Sequence, residues 1–212
     1  PPSECDLRGS RKNKKLMPLI EQIRQTTDKA VKALKLKLPA VVLGAEVTTR
    51  AANVSDEKKI IERTGLLCFD IDAQDNPGLD ATEIRDKLSL CTNVIFAALS
   101  VSGRGVWGLV EMQYPEKIKQ HFEQLKADFL IIGIKLDASK GSNPTDLRFY
   151  SYDPDAYLCH EYKVYERLPK TKPTYRKQMT TTNGSDPIKV AVNKIHAASD
   201  GEKHHELLKA AK

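Results

Sequence analysis

The sequence predicts an α+β domain whose core has the ferredoxin-like order of elements, and two observations lead to this prediction. Three apolar runs, at residues 66–72, 94–100 and 106–112, have the length and composition of buried strands. Two helical segments separate or follow them, one capped by Asp80 and one opened by Pro115. Further strand candidates lie at residues 131–137 and 146–152.

In chain order these elements read β-α-β-β-α-β from residue 66 to residue 152. That order builds an antiparallel sheet with two helices on one face. RNA-binding RRM modules and polymerase palms share it, so the order alone does not define a function. Additional elements are predicted before this core, namely a helix over residues 16–38, short strands at 40–43 and 47–50, and a short helix over residues 57–63.

The chain divides by composition into four parts. Residues 1–14 lack periodicity and are predicted to be a disordered lead, and residues 15–167 form the α+β domain. Residues 168–187 are rich in proline and threonine and are predicted to be a linker. Residues 188–212 are predicted to begin a small helical module that is truncated at Lys212.

The composition of the 212 residues is that of an ordinary globular protein, with 40% apolar and 29% charged residues. The apolar runs are too short to span a bilayer, so no membrane association is expected. The four cysteines are scattered, without a CxxC pair, which favours a reducing compartment and predicts a cytoplasmic location. The net charge of +6 is compatible with a polyanionic partner.

The strongest chemical signal is the strand sequence Leu-Leu-Cys-Phe-Asp-Ile-Asp at residues 66–72. Side chains alternate along a strand, so Asp70 and Asp72 share one face while their apolar neighbours point into the helix layer. Two carboxylates at this spacing repel each other unless a positive charge lies between them. A hard divalent cation, Mg²⁺ or Mn²⁺, supplies such a charge, and a solvent-exposed strand end is the alternative interpretation.

Two further segments contain candidate ligands. The turn Ser100-Val101-Ser102-Gly103-Arg104-Gly105 joins two predicted strands, and its open N–H groups and arginine suit a phosphate, although a plain hairpin turn is the alternative. Asp137 follows a strand candidate and is a possible third carboxylate, with Asp146 as its rival. Arg148 is placed to reach a phosphate. Trp107 is interpreted as a core residue and His121 as a surface residue.

These three segments, in this order, resemble the motifs of the archaeo-eukaryotic primase superfamily: an hhhDxD strand, a segment written SGxGxH, and a later hD motif. The closest similarity is to the VirE N-terminal-domain family of primase-polymerase-like proteins. Residues 37–40 resemble the lead-in of that family, and residues 195–204 resemble the small helical module that follows such domains. The resemblance extends from about Leu34 to Lys212.

The resemblance implies roles for individual residues. Asp70, Asp72 and Asp137 match the metal-binding and catalytic carboxylates, which hold Mg²⁺ or Mn²⁺ in active members. The phosphate-binding residues that it implies are Ser100, Ser102, Gly103, Arg104, Gly105 and Arg148. It also implies a nucleoside triphosphate and single-stranded or primer-template DNA as partners, and a helicase or primase region after Lys212.

One departure concerns Trp107, which stands where the superfamily has a histidine. Tryptophan can neither accept a hydrogen bond nor carry a charge, so this departure argues against the expectation that the chain synthesises nucleic-acid strands. Three hypotheses follow. The first is a primase-like nucleotidyltransferase of DNA replication or mobile-element maintenance, and the second is a non-catalytic single-stranded nucleic-acid-binding module. The third is a haloacid-dehalogenase-type phosphatase, which also begins with an hhhhDxD motif but continues differently from Ala73-Gln74.

Overall fold

The structure is a computed structural model that describes residues 14–27 and 29–170. Its α-helices are α1 (Met17–Gln25), α2 (Ala30–Lys35), α3 (Asp56–Lys59), α4 (Ala81–Leu88) and α5 (Ile118–Ile131). Its strands are β1 (Ala40–Val42), β2 (Ala45–Val47), β3 (Ile60–Arg63), β4 (Leu66–Asp72), β5 (Val94–Leu99), β6 (Gly105–Glu111), β7 (Leu147–Phe149) and β8 (Tyr157–Leu158). Short 3₁₀ turns precede α1, follow β4 and precede α5, at Lys14–Leu16, Ala73–Asp75 and Pro115–Lys117.

The predicted α+β class is confirmed. The central sheet has four strands in the order β4-β6-β5-β8, and every neighbouring pair is antiparallel. Strands β4 and β5 are therefore parallel to each other, with β6 between them and α4 connecting them, as in the predicted β-α-β-β arrangement. In the register of β4 and β6, Asp70 lies opposite Trp107 and Asp72 lies opposite Gly105.

The alternation predicted for β4 decides which side chains enter the core. Leu67, Phe69 and Ile71 are at most 1% exposed and pack against the buried faces of α4 and α5. The ring of Phe69 meets that of Phe129 edge-on, with 5.2 Å between the ring centroids. A capping box starts α4, because Asp80 accepts from the Glu83 N–H while the Glu83 carboxylate accepts from the Asp80 N–H.

The opposite face of the sheet carries a second apolar cluster, in which Phe96, Trp107 and Leu109 are buried together. Two small antiparallel pairs, β1 with β7 and β2 with β3, accompany the central sheet. A third cluster joins Ile20 and Ile23 of α1 to Val101 in the β5–β6 turn. The helices before the core therefore pack beside this turn.

The last strand of the predicted β-α-β-β-α-β order is the main difference. Residues 131–137 do not form a strand: Ile131 ends α5, and Gly133 turns the chain with a φ of 78°. The N–H and carbonyl of Lys135 bond to the buried Asn76 side chain instead of a neighbouring strand. Residues 147–149 do form a strand, but it pairs with β1, outside the central sheet.

Three smaller predictions are also corrected. The predicted helix 16–38 is two helices, because the chain is extended at Thr26. The helix predicted from residue 57 to residue 63 ends at Lys59, and the β-branched residues that follow pair with β2 as β3. His121, predicted to be a surface residue, is fully buried. Both of its ring nitrogens have hydrogen-bond partners there, because Nε2 accepts from the Tyr114 N–H and Nδ1 bonds to the Arg167 carbonyl.

Most of the predicted lead (1–14), most of the linker (168–187) and the whole helical segment (188–212) lie outside the described residues. Within the described part of the chain, no helix is both long and apolar enough to cross a membrane.

Candidate functional site

A cleft of about 420 Å³ opens where β4 ends, beside the β5–β6 turn. It collects side chains from segments that are far apart in the sequence. Those that line it are Lys35, Arg50, Asp70, Asp72, Ser100, Val101, Ser102, Trp107, Asp137, Lys140, Asp146, Leu147, Arg148 and Phe149. Seven of the ten predicted site residues are therefore brought together: Asp70, Asp72, Ser100, Ser102, Asp137, Asp146 and Arg148.

Arg148 and Asp70 form a bidentate ion pair at the centre of this cleft. The two Nη atoms of Arg148 donate to the two carboxylate oxygens of Asp70, at 2.5 and 2.6 Å. Both side chains are largely buried, with exposed fractions of 14% for Arg148 and 18% for Asp70. Burial opposes the charge on Arg148, yet Cys68 and Asp70 raise its guanidinium pKa above the ordinary value. Paired planar groups of this kind give strong, directional hydrogen bonds.

Trp107 forms the floor beneath this ion pair. It lies directly opposite Asp70 in the sheet, and the Arg148 guanidinium carbon is 5.2 Å from the centroid of its ring. The indole is only 4% exposed and packs on Phe96, which confirms the interpretation of Trp107 as a core residue. Its contact with Arg148 has the geometry of a cation–π interaction.

Asp72 is the most exposed of the predicted carboxylates. Burial and the carboxylates of Asp137 and Asp70 raise the pKa of Asp72, whereas the Lys35 ammonium opposes this effect. The pKa of Lys35 is itself lowered, first by burial and then by Arg104. Three charged side chains therefore interact electrostatically across the cleft, although they come from separate elements. Asp72 belongs to β4, Lys35 to α2, and Asp137 to the loop that follows α5.

Asp137 and Asp146 are both held by local hydrogen bonds. The backbone N–H of Asp137 donates to the Asp70 carbonyl at 2.8 Å, which places the two residues side by side. The carboxylate of Asp137 accepts from the N–H and the hydroxyl of Ser139, at 2.8 and 3.0 Å. The carboxylate of Asp146 accepts from the N–H of Gly141 at 3.2 Å. Both carboxylates line the cavity, so both are placed for the predicted role of third acidic residue.

The β5–β6 turn reaches the cleft with only part of its sequence. Ser100 and Ser102 line the cavity, and their hydroxyl oxygens are 3.2 Å apart. Gly103, Arg104 and Gly105 are not among the lining residues. Gly103 lies against the Arg24 side chain of α1, Arg104 donates to the Arg24 carbonyl at 3.5 Å, and Gly105 pairs with Asp72 in the sheet. The proximity predicted between this turn and the aspartate strand is present.

Three basic residues of the cleft were missed by sequence reasoning: Lys35, Arg50 and Lys140. Lys35 lies in a basic run on α2 that resembles a solvated helix face. Arg50 precedes a loop, and its Nε donates to the Thr145 carbonyl at 2.9 Å. Lys140 is exposed in the loop after Asp137. No local pattern marks these residues, because only the fold brings them to the cavity.

The donor set of this structure does not fit the divalent cations that the primase resemblance implies. Both oxygens of Asp70 are engaged by Arg148, and both oxygens of Asp137 accept from Ser139. Among the residues that the structure describes, no group of three or more His, Cys, Asp or Glu side chains is arranged to hold a metal ion. Mg²⁺ and Mn²⁺ require oxygen atoms that are free to converge on one point.

The fold and the cleft define an α+β domain with a charged cavity at one end of an antiparallel sheet. Residues 33–158 of the chain match the family described as BT4734-like, N-terminal domain. The matched segment covers more than half of the chain and includes every residue that lines the cleft. The chain therefore belongs to this family. Searches of curated proteins and of solved structures found no significant match.

Proposed function

We propose that this domain is a primase-polymerase-like module that binds a nucleoside triphosphate or the backbone of a nucleic acid through phosphate groups held in the cleft. One observation carries the proposal. The cleft unites the aspartate strand, the Ser/Gly turn and the Asp137–Arg148 segment, the same three segments that resemble the superfamily motifs. The BT4734-like family is related to VirE N-terminal and primase-like domains, which supports the finer assignment.

The charges of the cleft suit a phosphate-bearing ligand. Lys35, Arg50 and Lys140 line the cavity in addition to Arg148, whose charge is already matched by Asp70. Cationic side chains from separate segments can contact successive phosphates of a chain, and arginine does so through several donors. The hydroxyls of Ser100 and Ser102 add uncharged donors at the wall formed by the β5–β6 turn.

The proposal assigns binding and leaves strand synthesis as a separate question. Nucleotidyl transfer in this superfamily uses Mg²⁺ or Mn²⁺, and two carboxylates of this cleft, Asp70 and Asp137, are engaged by groups of the chain itself. The antiparallel hairpin of β5 and β6 beside β4 gives no support to the phosphatase hypothesis, which requires a parallel sheet. The free thiols of Cys68, Cys91 and Cys159 fit the cytoplasmic location that we propose.

The experiment uses the single tryptophan as a reporter. Trp107 lies in the cleft wall, so a nucleoside triphosphate that binds there should change its fluorescence emission. We expect saturable binding to the wild type and at least about tenfold weaker binding to the Arg50→Gln/Lys140→Gln variant. The variant Lys117→Gln/Lys119→Gln has the same change of net charge away from the cleft and serves as the control. Equal affinities in all three proteins would contradict the proposal.

A second candidate function is a non-catalytic module that binds single-stranded nucleic acid. The Asp70–Arg148 ion pair favours it, because a strand can bind through its phosphates without a metal site. An electrophoretic shift of single-stranded DNA that persists in EDTA and weakens with salt would support this candidate. No shift at low salt would exclude it.

A further inference from the structure

We infer that Arg148 takes the place of a divalent cation at Asp70, so that the cleft binds its phosphate ligand without a metal ion. This inference rests on the proposed function, since it concerns how the same cleft receives its ligand. It starts from the disagreement between the donor set and the metal site that the resemblance implies. Four acidic and four basic side chains line the cavity, so the chain itself supplies charges of both signs there.

The position of Arg148 is fixed from several sides. Its backbone belongs to β7 and pairs with Val41 of β1. Its guanidinium bonds to both oxygens of Asp70 and lies over the Trp107 ring. Asp70 is thus the anion that the Arg148 guanidinium meets here, and the pairing is bidentate.

A cation that bound at Asp70 would have to displace this guanidinium. Two charge-assisted hydrogen bonds would be lost, and a side chain that is only 14% exposed would carry an uncompensated positive charge beside the metal. Like charges at close range repel, and the repulsion is strongest where water is excluded. Metal binding and the ion pair are therefore alternatives at this carboxylate.

A second carboxylate of the predicted metal set also has a partner within the chain. Asp137 accepts two hydrogen bonds from Ser139, and the basic side chain of Lys35 lines the same cavity as Asp72. Phosphate oxygens would then meet the basic side chains of Lys35, Arg50 and Lys140 directly. The ligand class that follows is a phosphate chain bound without a coordinated ion.

The first test measures the affinity for ATP by calorimetry on the full chain, once in EDTA and once in excess Mg²⁺. We expect dissociation constants within about threefold of each other. Binding that requires Mg²⁺, with a loss of about tenfold or more in EDTA, would overturn the inference and leave the proposed function intact. Absence of binding in both conditions, for ATP and for single-stranded DNA alike, would instead contradict the proposed function.

The second test uses Mn²⁺ alone, detected by electron paramagnetic resonance. We expect the wild type to leave Mn²⁺ free and the Arg148→Met variant to bind it, because Asp70 is then released beside Asp72. Arg167→Met is the matched control, since Arg167 also pairs with an aspartate, Asp128, outside the cleft. Binding of Mn²⁺ by the wild type that is lost in Asp70→Asn would overturn the inference. This wild-type arm does not depend on whether Arg148→Met folds.

Discussion

Arg148 of β7 and Asp70 of β4 are joined by two parallel hydrogen bonds of 2.5 and 2.6 Å, although 78 residues separate them in the sequence. The pair links the small β1–β7 sheet to the central sheet and lies over Trp107. It is therefore a structural contact that also pairs two opposite charges at the centre of the cleft.

The first prediction concerns the stability that this pair provides. Asp70→Ala should destabilise the domain by about 3–5 kcal/mol, because it leaves Arg148 buried without a counter-charge. The double variant Asp70→Asn/Arg148→Gln should be more stable than the sum of its two single variants indicates, by about 1 kcal/mol or more. Urea unfolding followed by circular dichroism measures the free energies of Asp70→Ala and of the four proteins of the cycle, namely the wild type, the two single variants and the double variant. Additive effects would show that the two side chains do not interact.

The second prediction concerns the carboxyl of Asp72, whose pKa is raised by burial and by the charges of Asp137 and Asp70. Asp137→Asn removes one of these charges and should lower the Asp72 pKa towards its ordinary value of 3.8. Carbon-13 NMR titration of the aspartate carboxyls measures the change. Because the folded state holds this proton more tightly than the unfolded state, the contribution of Asp72 to stability decreases as the pH rises through its pKa. An unchanged pKa would contradict the electrostatic interaction between Asp137 and Asp72.

The third prediction concerns His121, the buried residue that joins α5 to the chain around Arg167. Burial lowers its pKa below the ordinary 6.5, so the folded state keeps the imidazole neutral while the unfolded chain binds a proton. The free energy of unfolding should therefore fall as the pH decreases below about 6.5. His121→Gln should reduce this slope, whereas His160→Gln, at an exposed position, should leave it unchanged. Equal slopes in all three proteins would contradict the assignment.

The fourth prediction concerns Gly108 in the middle strand of the sheet. A methyl group there would overlap the Phe69 ring and lie 2.7 Å from the Phe96 carbonyl oxygen, so the sheet or the ring would have to shift. Gly108→Ala should cost about 1–3 kcal/mol of stability. Ala52→Gly, in an exposed turn, is the control and should change stability by about 0.5 kcal/mol or less. A neutral Gly108→Ala would contradict the packing between β6 and Phe69.

Local patterns predicted the parts of the fold that depend on local physics. The alternation along residues 66–72 identified the buried and the cleft faces of β4, because each strand side chain points opposite to its neighbour. The burial of His121 had a signal that was overlooked: it lies three residues after Ile118 and four before Leu125, on the apolar face of α5. The adjacent Phe122 belongs to the same face.

Contacts between distant segments could not be predicted in the same way. Strand β7 pairs with β1 across more than 100 residues of sequence. It is only three residues long, which is too short to show an alternating pattern. Lys35, Arg50 and Lys140 reach the cleft only through such pairings. The ion pair of Asp70 and Arg148 was missed for the same reason: the sequence indicated a carboxylate and a cation, but not that they neutralise each other.

The central claim, that this cleft binds a phosphate-bearing ligand, is tested most directly by mapping the ligand on the protein. Proton–nitrogen NMR spectra of the chain would be recorded during a titration with a nucleoside triphosphate. The account predicts that the indole N–H of Trp107 and the backbone N–H groups of Ser102, Lys140 and Arg148 shift together and saturate at one concentration. Shifts confined to other surfaces, such as α3 or the start of α5, or no shifts at all, would contradict it.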